Sequence, residues 1–175
     1  FHGVNSDRME FYFTSTEDGS INRSVYVQKL ENNQKRKLST QYGTNSASFS
    51  KGFKYYMNTL STGNSAPKFT LHNADGMQLK VLENNDKFNL KVQEFNLAEK
   101  EFFTIKTKDT ELNAWMIKPP NFDETKKYPL LMLVYGGPGS QQVTNSFGWT
   151  NFYWHQMLAQ NGYIVACVDN RGTGG

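Results

Sequence analysis

Across residues 1–86, short runs of alternating apolar and polar positions are divided by polar turns. Residues 9–15 alternate around aromatics, and residues 24–30 carry Val25, Tyr26 and Val27. Asp, Gly, Ser and Asn bound both runs, so each is predicted to be a strand. The runs then recur. A shift of 44 positions carries Phe11, Tyr12 and Phe13 onto Tyr55, Tyr56 and Met57, Gly19 onto Gly63, Val25 onto Phe69, Val27 onto Leu71 and Leu38 onto Leu82. Ordinary hairpins also show some self-similarity at such a spacing, but here the residue class is kept position by position. A period near 44 with three or four strands per unit is that of β-propeller blades. Ala47-Ser48-Phe49-Ser50-Lys51-Gly52-Phe53-Lys54-Tyr55-Tyr56 adds a short inner strand, a tight turn and the next strand. Residues 1–86 are therefore expected to form about two all-β blades. Two blades cannot close a ring, because each buries its faces against neighbours.

The pattern changes at the polar break Asn84-Asn85-Asp86-Lys87, where a second domain, residues 87–175, is expected to begin. Residues 101–106 and 112–117 predict a hairpin around Thr107-Lys108-Asp109-Thr110. Pro119-Pro120 ends it, because proline cannot donate to a ladder. Residues 128–135 are then continuously apolar, the habit of a parallel strand buried on both faces, and Gly136-Gly137-Pro138-Gly139 forces a turn. From 150 to 161, Tyr153, Trp154, Met157 and Leu158 share one helical face, which is the face expected to be buried. Gly162 follows where a C-terminal glycine belongs. A second buried strand, residues 163–168, leads into Asp169-Asn170-Arg171-Gly172. Strand, glycine loop, helix and strand make one right-handed α/β unit, the start of an α/β domain whose other strands are not in this sequence.

Composition narrows the function mainly by exclusion. The 175 residues are 37% hydrophobic, 20% charged and 14% aromatic, a folded sequence with a lean towards β-structure. No apolar run approaches the roughly 20 residues of a membrane-spanning helix. The N-terminus also lacks a signal-peptide layout. The single cysteine, Cys167, excludes an internal disulfide and a multi-thiolate metal site. Net charge is +3, and the basic run Lys35-Arg36-Lys37 is too small for a nucleic-acid footprint. No cofactor is predicted.

Candidate chemistry lies at the carboxyl ends of the parallel strands, where open α/β sheets bind ligands. Tyr135 and the glycine loop sit there. A phosphate cradle is disfavoured, since no Gly-Lys-Ser/Thr follows and the third glycine of a dinucleotide fingerprint is missing. An oxyanion site fits better, because a glycine turn after such a strand offers N–H donors and Tyr135 adds a phenol. A buried tyrosine before an ordinary turn fits equally well on these grounds alone. No Gly-x-Ser-x-Gly nucleophile elbow occurs, and the spacing of Ser140, His155 and Asp169 does not support a triad. His155 is expected on the helix surface, Cys167 buried and inert, and Asp169 paired structurally with Arg171. His2, near the terminus, and His72, in a blade strand, suggest no base.

Lys126-Lys127-Tyr128-Pro129-Leu130-Leu131-Met132-Leu133-Val134-Tyr135-Gly136-Gly137-Pro138-Gly139-Ser140-Gln141 resembles the first core strand and loop of the dipeptidyl peptidase IV group in the prolyl oligopeptidase family of serine peptidases. Gln160-Asn161-Gly162-Tyr163-Ile164-Val165, followed by Val168-Asp169-Asn170-Arg171-Gly172-Thr173-Gly174-Gly175, is similar to that family's next strand and Arg-Gly-Ser/Thr-Gly loop. The hairpin with Trp115 and Pro119-Pro120 also matches the start of its catalytic domain.

The resemblance implies propeller blades running into the N-terminal part of an α/β-hydrolase domain. It also implies peptide substrates cleaved by a Ser-Asp-His triad after a penultimate proline or alanine, with Tyr135 donating its hydroxyl to the oxyanion. The triad would lie beyond Gly175 and the glutamates that hold the substrate amine upstream of Phe1, so a middle segment, inactive alone, is expected. A related prolyl oligopeptidase or acylaminoacyl peptidase, or a non-catalytic propeller-linked binding module, are the alternatives. Exposed strand edges pair readily with other chains, so a homo-oligomer is allowed. The family places such a protein in a bacterial periplasm or on the cell surface.

Overall fold

The computed structural model of the chain describes residues 1–148 and 151–174; it is mostly β-sheet, with two helices. Thr150, expected to open the second helix, and Gly175 of the C-terminal motif lie outside the described residues. The chain forms two units, Phe1–Asp86 with Asn145–Phe147, and Lys87–Thr144 with the residues from Gly148 on.

In the first unit, two antiparallel meanders of four strands follow the chain order. One comprises β1 (Gly3–Asn5), β2 (Glu10–Ser15), β3 (Ser24–Lys29) and β4 (Lys35–Lys37). The other comprises β5 (Thr44–Phe49), β6 (Tyr55–Thr62), β7 (Ser65–Asn73) and β8 (Gln78–Glu83). The 44-residue shift maps one sheet onto the other. Tyr12 in β2 and Tyr56 in β6 are 0% and 2% exposed, and both belong to one core with Val25, Val27, Leu38 and Ala47. Phe49 and Phe53 fill the space around them, with the Phe53 ring stacked on Tyr12 at 4.9 Å and Phe49 at 5.1 Å from Tyr56. Burying such rings contributes about 1.5–3 kcal/mol each.

The equivalence is not complete. Leu38 is 1% exposed and its counterpart Leu82 46%. Gly19, at φ +107°, lies in the long connection 16–23, whereas Gly63 sits in the tight β6–β7 turn. Asn145, given no role by the sequence, is bonded on every side. Its N–H donates to Ile21 C=O (2.8 Å), and its C=O accepts from Thr44 N–H (3.0 Å). Its side chain accepts from Gly63 N–H (2.8 Å) and donates to Asn22 Oδ1 (3.1 Å).

The second unit holds α1 (Asp86–Gln93), β9 (Lys100–Lys106), β10 (Glu111–Ile117), β11 (Leu130–Leu133), α2 (Phe152–Gln160) and β12 (Ile164–Val168). The strand order is β11-β12-β10-β9. β11 and β12 are parallel, and the other pairings are antiparallel. The predicted hairpin is present as β9–β10, closed by Thr107 N–H to Thr110 C=O at 2.8 Å. α1 begins at the end of the stretch read as a polar break and buries no residue.

Burial differs from expectation in β11, on α2 and at His155. The apolar run 128–135 yields only the short strand β11, which forms one edge of the sheet, and Leu130 and Met132 are 55% and 51% exposed. α2 packs on β12 and β10. The helix is present, but its buried side is Phe152, His155, Gln156 and Ala159, spaced i, i+3, i+4, i+7, while Tyr153, Trp154 and Met157 face outward. His155, expected on the surface, is buried. The physical reason is that Gln156 has hydrogen-bond partners, described below, that pay for its burial, and His155 packs against Trp115. The C-terminus of α2 is as expected. Gly162, at φ +86°, donates to Ala159 C=O and Tyr163 donates to Leu158 C=O, a Schellman pair that needs a left-handed residue.

Candidate functional site

The strands of the second unit bring a row of side chains into register, with Trp115 on β10 opposite Cys167 on β12 and Cys167 opposite Leu133 on β11. Above this row lies a cavity of about 340 Å³, lined among others by Lys100, Trp115, Tyr135, Gln142, His155 and Cys167. The Lys100 ammonium sits 5.3 Å from the Trp115 ring centre, and the His155 ring 5.8 Å from it on the other element. Burial sets the protonation here. It lowers the Lys100 pKa and lowers that of His155, whose cationic form Lys100 also disfavours. It pushes the Cys167 thiol up to about 11, helped by the Asp169 charge and opposed by Lys100. Cys167 is therefore a thiol at neutral pH, as its place in an apolar strand predicts. His155 Nε2 is buried and has no hydrogen-bond partner among the described residues.

Tyr135 stands just past the carboxyl end of β11, with its side chain 57% exposed. Gly136, at φ +78°, reverses the chain there, in a conformation that a residue with a Cβ adopts only with strain. A Cβ on Gly137 would lie 3.5 Å from Tyr135 Cε1, and one on Gly139 would lie 3.7 Å from the Tyr135 hydroxyl oxygen. The phenol thus lies across its own glycine turn.

The far end of that loop is held by β10 and by the residue after β12. Asp169 Oδ1 accepts from Gln142 N–H at 2.8 Å and Oδ2 from Val143 N–H at 3.1 Å. Trp115 Nε1–H donates to Gln142 C=O at 3.3 Å, and Gln142 Nε2 donates to Ser140 Oγ at 2.8 Å. This corrects the expected partner of Asp169, whose carboxylate serves backbone N–H groups while Arg171 is exposed. Ser140, His155 and Asp169 do not form a hydrogen-bonded chain: Ser140 is bonded to Gln142, and Asp169 to two amides. His72 bonds Thr70 Oγ1 and Gly76 C=O through its two nitrogens, and His2 bonds Thr14. Among the described residues, no three His, Cys, Asp or Glu side chains come together to hold a metal ion. No described helix is long and apolar enough to cross a membrane.

Lys100, Gln142 and Gln156 escaped the sequence reading. A lysine opening a strand and glutamines in a loop and a helix carry no local signal of burial. Their partners lie 27 residues away for Gln142 and 58 for Gln156.

Residues 1–67 match the family described as the dipeptidyl peptidase IV (DPP IV) N-terminal region. A crystal structure of Porphyromonas gingivalis dipeptidyl peptidase 4 superposes with a TM-score of 0.91 at 39% identity, over 99% of this chain and 24% of that one. The "Probable dipeptidyl-aminopeptidase B" of Trichophyton verrucosum is 40% identical over 178 residues, 98% of this chain and 19% of that protein. "Prolyl endopeptidase FAP" of Bos taurus is 39% identical over 141 residues, 79% of this chain and 18% of that protein. The chain thus spans about a fifth of the length of the curated relatives it matches. In sequence and in fold the chain is similar to a stretch of dipeptidyl peptidases, and its first 67 residues match the N-terminal region of the dipeptidyl peptidase IV family.

Proposed function

We propose that this chain is part of a serine peptidase that releases N-terminal dipeptides, Xaa-Pro or Xaa-Ala, from peptide substrates. In this reading residues 1–86 are blades of a β-propeller. Residues 87–175 begin an α/β-hydrolase domain whose Ser-Asp-His triad lies outside the segment, which alone has no peptidase activity. The names of the relatives support peptidase chemistry, and the one called a prolyl endopeptidase supports cleavage at proline. The likeness to the P. gingivalis enzyme supports a bacterial peptidase, placed by this reading in the periplasm or on the cell surface.

One observation carries the catalytic assignment. Tyr135 stands just past the carboxyl end of β11, which pairs in parallel with β12, is about half-exposed and lies beside a glycine turn. A phenol there can donate to the developing oxyanion, and a single preorganised donor of this kind is worth about 10²–10³ in kcat. Tyr135→Phe in the intact peptidase should lower kcat by about 10²-fold while leaving KM near its original value. An unchanged kcat would remove Tyr135 from the mechanism.

A further inference from the structure

The loop that carries Tyr135 is built from residues that hold no shape by themselves. Three of the four residues after Tyr135 are glycine, and Gly136 needs a left-handed backbone. Glycine loses more conformational freedom on ordering than any other residue, so a fixed loop needs anchors at both ends. β11 supplies one. The other is Gln142, gripped on both sides of its peptide by Asp169 and Trp115.

Asp169 is the stronger of the two grips. It is 6% exposed, and it accepts two backbone N–H bonds with one carboxylate. Charge-assisted bonds of this kind are about twice as strong as neutral ones. Its own N–H donates to Asn113 C=O at 3.0 Å, so the backbone that bears the carboxylate is stitched to β10. The two oxygens are taken up by backbone, and no imidazole is bonded to them. These facts place the residue as a bracket between the sheet and the loop whose Gly137 and Gly139 face the Tyr135 ring.

We propose that Asp169 is a positioning residue for the Tyr135 hydroxyl: its carboxylate holds the Gln142–Val143 amides and so fixes the glycine loop that aims the phenol. The inference rests on the reading of Tyr135 as an oxyanion donor. A donor displaced by about 1 Å can lose as much as 10²-fold in rate, so a bracket remote from substrate can act on kcat.

The test is a double-mutant cycle in the intact peptidase with Asp169→Asn, which keeps the shape and one acceptor but turns an NH2 towards the other amide. Asp169→Asn alone should lower kcat about tenfold with little change in KM. In the Tyr135→Phe background the same change should alter kcat by less than about twofold, because there is no hydroxyl left to aim. An equal loss in both backgrounds would mean a purely structural role, and no loss in either would mean no role; each overturns the proposal. If Tyr135→Phe alone is silent, the oxyanion reading fails instead, which keeps the two failures apart. Hydrogen exchange at the Gln142 and Val143 amides gives a second readout. Asp169→Asn should speed both while the β10 and β12 amides stay protected, and unchanged protection at Gln142 and Val143 would refute the bracket. Should Asp169→Asn fail to fold, Asp169→Ser, smaller and still an acceptor, is run through the same cycle with the same outcomes deciding.

Discussion

The side-chain amide of Gln156 faces the backbone of Ala98 as one antiparallel strand faces another: Gln156 Oε1 accepts the Ala98 N–H and Gln156 Nε2 donates to the Ala98 C=O, both at 2.8 Å. One helical turn on, Gln160 Nε2 donates to Phe95 C=O at 2.6 Å. The two glutamines, i and i+4 on α2, therefore hold the segment that leads from α1 into β9. This clamp also sets the rotation of α2, since Gln156 can reach Ala98 only with its side of the helix turned inward.

Gln156 is buried and Gln160 exposed, so the two clamps should differ in worth. Gln156→Leu leaves a donor and an acceptor of Ala98 without their partners and should destabilise by about 2–4 kcal/mol. Gln160→Leu, where water can replace the lost bond, should cost less than about 1 kcal/mol. Urea unfolding midpoints of the two variants check this. Equal losses would mean that burial does not strengthen the Gln156 clamp.

What the sequence revealed and what it hid follow from the range of the interactions involved. Tyr12 and Tyr56 could be matched by eye because a repeat places equivalent side chains in equivalent strands, and both ended in one core. The hairpin β9–β10 and the glycine stop after α2 were legible because their signals are local: turn residues at a fixed offset, and a glycine that alone takes φ +86° cheaply. The rotation of α2 was not legible. Periodicity ranks residues by hydrophobicity, and it chose Tyr153, Trp154 and Met157 over His155 and Gln156, whose burial depends on Ala98 and Trp115 far away in the chain. In the candidate site, Tyr135 and its glycine loop stood out as the end of an apolar run. The bonds of Asp169 to Gln142 and Val143 could not, because a carboxylate capping distant backbone amides leaves no pattern in sequence.

The paired tyrosines of the first unit provide a second test, because their hydroxyls are held unequally. Tyr12 O–H donates to Glu10 Oε2 at 2.9 Å, and that buried carboxylate has Arg8 Nε at 3.1 Å as a further partner. Among the described residues, Tyr56 O–H reaches only Leu38 C=O, at 3.5 Å. Tyr12→Phe removes a bond to a charged, buried acceptor and should cost about 1.5–3 kcal/mol, whereas Tyr56→Phe should cost less than about 1 kcal/mol. Chemical denaturation at neutral pH orders the two variants, and a larger loss at Tyr56 would contradict the hydrogen-bond assignment.

His155 should make the chain acid-sensitive. Its imidazole is buried among Trp115, Trp154 and Lys100, and burial first, then the Lys100 charge, lower its pKa from the ordinary 6.5. Cys167, whose thiol is pushed up to about 11, also lines the cavity and contributes no negative charge there at neutral pH or below. In the folded chain His155 is thus neutral at pH values where the unfolded chain would protonate it, and the unfolded state binds the extra proton. Its contribution to stability is fully present above about pH 6.5 and is lost as pH falls from there through the lower folded-state value. His2, whose pKa is lowered mainly by burial, acts in the same direction over the same range. The carboxylates of Asp18 and Asp75 are held below their ordinary 3.8, by hydrogen bonds from Lys37 and Arg8 respectively, and so come into play only at more acid pH. Between pH 7.5 and 5 the urea midpoint should therefore fall, and His155→Phe, which keeps an aromatic ring beside Trp115 and removes the proton acceptor, should flatten that fall to the part left by His2. A His155→Phe profile parallel to that of the unaltered chain would show that the imidazole accepts its proton as readily folded as unfolded, and the buried, neutral ring inferred here would have to be abandoned.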